Sequence, residues 1–465
     1  MPRLILIVFL VFAAWLIKRD TARRDGISGA VWIPTIWIGI LASRPFSTWL
    51  GSDAGGDALE GSPLDRLFFF VFIFLAFIVI SRRKVSWSQV ISTSWPVFLF
   101  YAFMLISVLW AYSPVASFKR WFKDFGNISV ALVILTEVNP AQAFRAVYVR
   151  CAYVLIPLSY IFIRWFPDMG RHYNIHSGGL EATGVTFQKN SLGIMVLACG
   201  LILIWDWLER SKPGEIRQNW FDRYMPLGIL AIGLYLLHLC DSKTSIACLA
   251  FGSIILSAIR IPFLRNRVGS LGVYIVASAA IFFVLDSLFG IKEFVVESMG
   301  RNMTFTGRTD VWKVLLDLHT PSILGTGFCD FWSDPNYLPK LPYWVEYSAH
   351  NGYLETYLDG GIVGVFFLVV LLIGTGLKIN RQLSTTGGSY PLIRFVVLGT
   401  MIIGNITESH FGRMSPLWFM LLLVALDPMP GGGIPGTSEI FASDPQGAPA
   451  DPEAPSEPAA QPSPP

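Results

Sequence analysis

A histidine, an asparagine, two tyrosines and two acids stand close together in "HNGYLETYLDGG", residues 350–361, directly before the apolar run "IVGVFFLVVLLIG". Ser348 is a favourable N-cap, which predicts that His350 lies in the first turn of a helix and shares one face with Tyr353 and Tyr357. A helix N-terminus lowers the pKa of an imidazole and so favours its neutral form. His350 is therefore a candidate general base, although a single histidine at a membrane interface can also be purely structural.

A second candidate lies in "FTGRTDVWKVLLDLHTPSILGTGF", residues 305–328. Thr309 or Asp310 can cap a short interfacial helix with an apolar face, and Arg308 then stands at the mouth of that helix. The proline and glycines of "PSILGTG" predict a tight loop after it. A guanidinium at this position suits bidentate binding of phosphate oxygens. The alternatives for Arg308 are an ion pair with Asp310 or a contact with a lipid headgroup.

The elements that must position these residues follow from composition. Of the 465 residues 53% are hydrophobic and only 14% are charged, and apolar runs near the ~20 residues that cross a bilayer recur along the chain. This pattern predicts an all-α polytopic membrane helix bundle of twelve to thirteen spans, with one long outer loop that contains short interfacial helices. A net charge of +3 and the lack of a basic run interleaved with aromatic residues argue against a nucleic-acid partner. The predicted spans are 4–17, 30–43, 67–80, 95–112, 126–138, 146–165, 190–208, 225–240, 244–260, 270–289, 361–377, 391–407 and 414–427.

Basic loops orient the bundle. The segments at 18–24, 82–84, 209–223, 260–267 and 378–382 fall on alternate connections, so the positive-inside rule predicts that they are cytoplasmic. The long 290–361 loop then faces the opposite side. Residues 1–428 are expected to form one membrane domain, and residues 429–465, rich in Pro, Gly and Ala, a disordered cytoplasmic tail.

Several basic residues lie near span ends on the side that the rule disfavours. They can hold an anion such as a lipid-linked phosphate, which lies at that depth, or they can snorkel to the phosphates of outer-leaflet lipids. As a group they favour anion binding. The set comprises Lys119, Arg120, Lys123, Arg171, Lys189, Lys243, Arg301, Arg308 and Arg413.

Three stretches within residues 305–365 carry a family resemblance. "GRTDVW", "PSILGTG" and "HNGYLETYLDGGIVG" together resemble the signature of the O-antigen ligase and polysaccharide polymerase superfamily, the Wzy_C type. Weaker matches are "TGVTFQKNSLG" with Asn190, "SKTS" at 242–245, and "NITES" at 405–409. The resemblance covers about 180–410 and is strongest over 305–365.

The resemblance implies a GT-C-like fold and a metal-independent, inverting glycosyltransferase without a cofactor. Its donor would be an undecaprenyl-diphosphate-linked oligosaccharide, used at the periplasmic face of the bacterial inner membrane, and its acceptor a glycan or a lipid-linked glycan. Membrane lipid and polysaccharide export or chain-length machinery are the other partners it suggests.

Carried over to this chain, the resemblance implies that Arg308 binds the diphosphate. It also implies that His350 activates the acceptor hydroxyl or assists the leaving group. Lys189 and Lys243 become further phosphate contacts, although Lys243 stands where arginine is common and offers no bidentate fork. The remaining expected substrate contacts are Asn190, Asn351, Tyr353, Arg301 and Glu408.

Three functions remain open at this point. The first is polymerisation of an exopolysaccharide or O-antigen, and the second is ligation of the same lipid-linked glycan to lipid A core or to protein. The third is a transporter or flippase of lipid-linked sugar, which would need ionisable groups near mid-membrane. The predicted span interiors are almost free of charge, and this favours the enzyme.

Overall fold

The computed structural model describes residues 1–24, 26–51, 62–83, 85–174, 178–211, 219–258, 261, 308–345, 347–385 and 388–428. Arg301, the predicted span 270–289 and the predicted tail 429–465 lie outside the described residues.

The regular secondary structure of the described residues is helical apart from one small hairpin, which confirms the all-α class. The hairpin pairs β1 (Arg171–Asn174) with β2 (Gly179–Ala182) antiparallel. In chain order the helices are α1 (Pro2–Thr21), α2 (Trp32–Leu41), α3 (Phe46–Trp49), α4 (Pro63–Arg82), α5 (Trp87–Thr93), α6 (Trp95–Ser107), α7 (Pro114–Leu135), α8 (Pro140–Trp165), α9 (Pro167–Gly170), α10 (Lys189–Arg210), α11 (Trp220–Cys240), α12 (Lys243–Ala258), α13 (Arg308–Asp317), α14 (Gly352–Thr385), α15 (Ser389–Gly404) and α16 (Pro416–Ala425).

Every predicted span that falls within the described residues overlaps one of these helices. Within the same residues, α4, α8, α10, α11 and α14 are long and apolar enough to cross a bilayer, and the bent pair Trp87–Thr93 and Trp95–Trp110 makes a sixth if it is one span. Four further apolar helices are shorter. The chain is thus a multi-pass membrane protein, and the larger count of twelve to thirteen spans stays a prediction.

Burial separates central helices from peripheral ones. Along α8 and α10 nearly all side chains are buried within the protein, whereas α4 exposes Leu67, Phe70 and Phe74. A helix that is apolar all round is expected at the centre of a bundle, and exposed aromatic and aliphatic side chains suit contact with lipid. α10 packs against α8, α11 and α12 and links the two ends of the bundle.

Helix α7 begins twelve residues before the predicted span at 126, because its polar first turns lie against protein. The Ser117 hydroxyl donates to the Phe328 carbonyl, and Arg120 donates to the Cys329 carbonyl. Asp124 accepts a hydrogen bond from Tyr101. A search for apolar runs misses such a segment because its polar groups are satisfied by other parts of the chain.

Candidate functional site

The chain around His350 differs from the predicted helix start. Helix α14 begins at Gly352, and the cap is Asn351, whose side-chain oxygen accepts from the backbone N–H groups of Tyr353 and Leu354 at 3.0 and 3.1 Å. The prediction that Ser348 caps this helix is therefore wrong. The Ser348 hydroxyl instead accepts from the backbone N–H of residue 350 at 3.1 Å.

His350 consequently precedes the helix and has a left-handed backbone, with φ of +47°. The predicted face shared by His350, Tyr353 and Tyr357 does not exist, since His350 is outside the helical repeat. Tyr353 instead donates its hydroxyl to the Ile402 carbonyl at 2.9 Å and packs edge-on against Phe411. It joins α14 to the end of α15.

A close backbone approach fixes this geometry. The Gly352 N–H donates to the carbonyls of Asn405 and Glu408 at 2.8 and 2.9 Å, and a Cβ at Gly352 would lie 2.1 Å from the Asn405 side chain. The backbone N–H of Asn351 donates to the Ser409 hydroxyl at 3.0 Å. The two motifs "HNG" and "NITES" therefore meet in space.

Arg308, His350 and Glu408 form a group that we name the open cluster. Arg308 Nη2 lies 2.9 Å from Glu408 Oε1, and its Nη1 donates to the Thr407 carbonyl. His350 Nδ1 lies 3.8 Å from Glu408 Oε2. The Arg308 and His350 side chains keep 17% and 22% of their surface exposed, against 9% for Glu408. The guanidinium and the imidazole share one carboxylate and remain accessible.

Glu408 is the anion at the centre of this cluster. Its burial raises the pKa, but the interaction with His350 and the positive charge of Arg308 outweigh burial and hold the pKa below its ordinary value. His410, two residues on, is fully buried, and burial lowers its pKa to about 4 against an opposing pull from Glu408. At neutral pH the cluster thus contains a carboxylate, and His410 beside it is a neutral imidazole.

Helix α13 positions Arg308, although its capping differs from the prediction. Thr309 and Asp310 lie inside the first turn, since Arg308 is already helical. Trp312 donates its indole N–H to the Ala349 carbonyl at 2.9 Å, and Leu315 is fully buried in a small apolar core. Arg308 is thereby held against the segment that carries the histidine.

The lysines predicted as phosphate contacts lie at neighbouring helix starts. Lys243 opens α12, and the next residue, Thr244, hydrogen-bonds the Thr407 hydroxyl at 2.8 Å. The Lys243 amine itself lies 2.9 Å from Asp241. Lys243 is therefore one residue from a direct contact with the loop that carries Glu408.

Lys189 and Asn190 open α10 at the same end of the bundle. Gly193, one turn later, packs so closely that an added Cβ would lie 2.6 Å from Ser242 and 2.8 Å from the Ser245 hydroxyl. The Lys189 amine forms an ion pair of 2.6 Å with Glu181 on β2. The starts of α10 and α12 are therefore adjacent. Both lysines already form ion pairs, Lys189 with Glu181 and Lys243 with Asp241.

The predicted tight loop is confirmed and has a specific neighbour. Gly325 and Gly327 have φ of +67° and +103°. The N–H groups of Thr326 and Gly327 donate to the carbonyls of Leu358 and Asp359 at 2.9 and 2.8 Å, where α14 is broken by Gly361 at φ +62°. The helix break leaves backbone groups that "PSILGTG" satisfies, so the two motifs support each other.

A second ionic group, which we name the closed cluster, lies nearby and was not predicted. Arg413 Nη2 lies 2.6 Å from Glu355 Oε2, and its Nη1 lies 3.0 Å from Asp359 Oδ2. Glu355 also accepts from the Ala349 N–H at 2.7 Å and from the Trp332 indole at 2.9 Å. Arg413 is therefore a support of the segment before His350, although the sequence grouped it with the anion-binding cations.

Arg120 and Arg171 also have acceptors within the protein. Arg120 donates to the Cys329 carbonyl and the Ser333 hydroxyl, and Arg171 donates to the Ile163 carbonyl. No group of three or more His, Cys, Asp or Glu side chains in the described part of the chain has the geometry to hold a metal ion.

Comparison with known families adds one result. Residues 228–369 match the family model Wzy_C, described as O-antigen ligase. This match confirms the resemblance to the O-antigen ligase and polysaccharide polymerase superfamily, and it includes Lys243, Arg308 and His350. Residues 183–193 and 405–409 lie outside it. No curated protein matches the chain.

Proposed function

Proceeding from the match to O-antigen ligases, we propose that this membrane protein is a glycosyltransferase of the bacterial inner membrane. It transfers or polymerises a glycan linked to undecaprenyl diphosphate at the periplasmic face and releases the lipid diphosphate. The observation that carries the proposal is the open cluster, in which a partly exposed guanidinium and a partly exposed imidazole share the Glu408 carboxylate.

The proposed chemistry assigns one task to each member. Glu408 orients the imidazole through Nδ1, so Nε2 of His350 is the atom that removes the proton from the acceptor hydroxyl. The resulting oxygen attacks the anomeric carbon, and the bond from that carbon to the diphosphate oxygen breaks. The electron pair leaves with the diphosphate, so the step needs no oxidant or reductant.

The leaving diphosphate needs positive charge, which cationic side chains supply. Arg308 offers a planar fork that matches phosphate oxygens, and donor binding replaces part of its contact with Glu408. Lys243 and Lys189 add charge from the starts of α12 and α10, where backbone N–H groups also favour anions. Asn190 and Asn351 are proposed as polar contacts to the substrate. Tyr353 is proposed to act by joining α14 to α15.

A transfer assay with purified, reconstituted protein tests this function. With undecaprenyl-diphosphate-linked repeat unit as substrate, the wild type forms longer glycan and releases undecaprenyl diphosphate. His350→Ala is expected to lower the rate about 10²–10⁴-fold, the range for loss of a general base. The matched control is His319→Ala, an exposed histidine outside the open cluster.

The outcomes separate the proposed classes. Transfer by His350→Ala at the wild-type rate would refute its role as base. Movement of lipid-linked unit across the bilayer without release of undecaprenyl diphosphate would instead identify a transporter. Polymerase and ligase are distinguished in a deletion strain, where single repeat units on the acceptor indicate a lost polymerase and unattached polymer indicates a lost ligase.

A further inference from the structure

A network of arginines and aspartates lies at the end of the bundle away from the open cluster. Three buried aspartates, Asp20, Asp206 and Asp222, each contact at least two arginines. Among the described residues these ion pairs join six guanidinium groups to three carboxylates. The cations of the network are Arg19, Arg23, Arg24, Arg145, Arg150 and Arg210.

Helix α10 fixes the position of this network. Its first residue, Lys189, is at the candidate site, and Asp206 and Arg210 are in its last turns. A helix of 22 residues is about 33 Å long, so the network is separated from the site by about the thickness of a bilayer core.

Exposed aromatic side chains lie at the same end of the bundle as the network. Trp15 on α1 is 43% exposed, Trp220 at the start of α11 is 75% exposed, and Tyr224 is 39% exposed. Tryptophan and tyrosine are enriched where a membrane protein crosses the headgroup region. Since 18–24 and 209–223 are also the loops that the positive-inside rule makes cytoplasmic, this level corresponds to the inner leaflet, which carries anionic lipids.

Asp222 is the carboxylate of this network whose arginines stay partly exposed. Arg19 binds both oxygens of this carboxylate at 2.6 and 2.8 Å, and Arg23 contacts it as well. Burial, and after it the positive charges of Arg19 and Arg210, lower the pKa of Arg23 below its ordinary value. One carboxylate thus serves two guanidinium groups, and Arg23 retains 32% of its side-chain surface.

A cleft between α1, α8, α10 and α11 contains these groups. Its polar lining includes Arg19, Arg23 and Arg210 together with Asp20 and Asp222. Its apolar lining comes from Leu16, Phe221 and Met225. A free inorganic anion would use only the cations, whereas a phosphate attached to a glycerol backbone and acyl chain can use both linings.

We propose that the mouth of this cleft binds the headgroup phosphate of an anionic phospholipid from the cytoplasmic leaflet, with Arg23 as the principal exposed contact and the half-buried Phe221 and Met225 against the lipid's apolar part. Bound lipid would reinforce the junction of α1 and α11, which Arg19–Asp222 and Trp15–Phe221 already join. This site is independent of the transferase chemistry.

The test compares thermal unfolding of the full chain in nanodiscs of phosphatidylcholine with nanodiscs that contain phosphatidylglycerol. The wild type is expected to unfold at a higher temperature with phosphatidylglycerol, because a ligand that binds only the folded state stabilises it. Arg23→Gln is expected to bind phosphatidylglycerol roughly fivefold more weakly and to lose most of this increase. Lys18→Gln is the matched control, since Lys18 is exposed near the end of α1 but does not line the cleft.

Each outcome decides the proposal. A wild type with the same unfolding temperature in both nanodiscs overturns it, and this result does not depend on whether a variant folds. Equal losses in Arg23→Gln and Lys18→Gln would indicate general surface electrostatics and also overturn it. Inorganic phosphate that produces the full increase in phosphatidylcholine nanodiscs would identify a free-anion site in place of a lipid site.

Discussion

The open and closed clusters each take one residue, Glu408 or Arg413, from the short connection 405–415, yet they are built for different tasks. In the closed cluster Arg413 faces two carboxylates, Glu355 and Asp359, of which 2% and 6% of the side-chain surface is exposed. In the open cluster Arg308 and the imidazole share the carboxylate of Glu408. The two arginine side chains are buried to a similar extent, so the clusters differ in the ratio of carboxylates to cations.

This ratio decides which arginine can take a ligand. A guanidinium held by two buried carboxylates cannot leave them without stranding negative charge, so it acts as a structural joint. A guanidinium that shares one carboxylate with a histidine has positive charge available for a phosphate. Position beside a membrane surface is therefore insufficient to identify an anion-binding arginine.

The largest expected effect follows from breaking the closed cluster. Arg413→Met leaves Glu355 and Asp359 buried without their cation, and loss of one partner of a buried pair costs about 3–5 kcal/mol. We expect a sharp fall in folded protein, measured as the unfolding temperature and yield in detergent. The triple variant Arg413→Met, Glu355→Gln, Asp359→Asn should recover much of the stability, since it removes the stranded charges. A stable Arg413→Met protein would show that the closed cluster is not a structural joint.

The next effect comes from His410, which lies between the two clusters in the chain. Its folded pKa of about 4 is below the unfolded value of about 6.5, so the unfolded state binds more protons between these values. Stability is therefore present above pH 6.5 and is lost as the pH falls towards 4, by an amount on the order of 2–3 kcal/mol. His410→Gln should flatten this part of the pH profile of unfolding. An unchanged profile would mean that His410 is protonated in the fold.

Arg308→Lys is expected to act on function and leave the fold intact. Lysine retains the charge but lacks the fork, so we expect the rate of glycan transfer to fall about tenfold through weaker donor binding. The unfolding temperature should stay within about 2 °C of the wild type, since lysine keeps a positive charge beside the Glu408 carboxylate. Lys313→Gln on the same helix is the control, because Lys313 is exposed. An unchanged affinity for the lipid-linked donor in Arg308→Lys would contradict the proposed diphosphate contact.

The sequence predicted the helices well and the helix starts poorly. Apolar runs located the spans because burial or lipid contact requires them, whatever the neighbours are. Ser348 and Asn351 are both good caps three residues apart, and the choice between them depends on the close approach of Gly352 to Asn405. That approach joins residues more than fifty positions apart, and local capping preference contains no information about it.

The same limit applies to the charges. Arg308 and Arg413 have the same side chain, and the sequence grouped both with the anion-binding cations. Their partners are 100 and 58 residues away in the chain. Of the motifs, only "NITES" contains Glu408. The family resemblance made Glu408 a candidate, but it did not predict that Glu408 contacts Arg308 or His350.

The smallest predicted effect tests how Lys243's helix is coupled to the open cluster. Thr244→Val removes the hydrogen bond to the Thr407 hydroxyl, and one such bond is worth about 1 kcal/mol. Because the Thr407 carbonyl accepts from Arg308, we expect the loosened contact to lower donor affinity by a factor of about two to five. Thr35→Val on α2 is the control, since the Thr35 hydroxyl donates to the Val31 carbonyl four residues earlier in the chain. If both variants lose the same small amount of affinity, α12 does not act through Thr407, and Lys243 is only an exposed cation paired with Asp241.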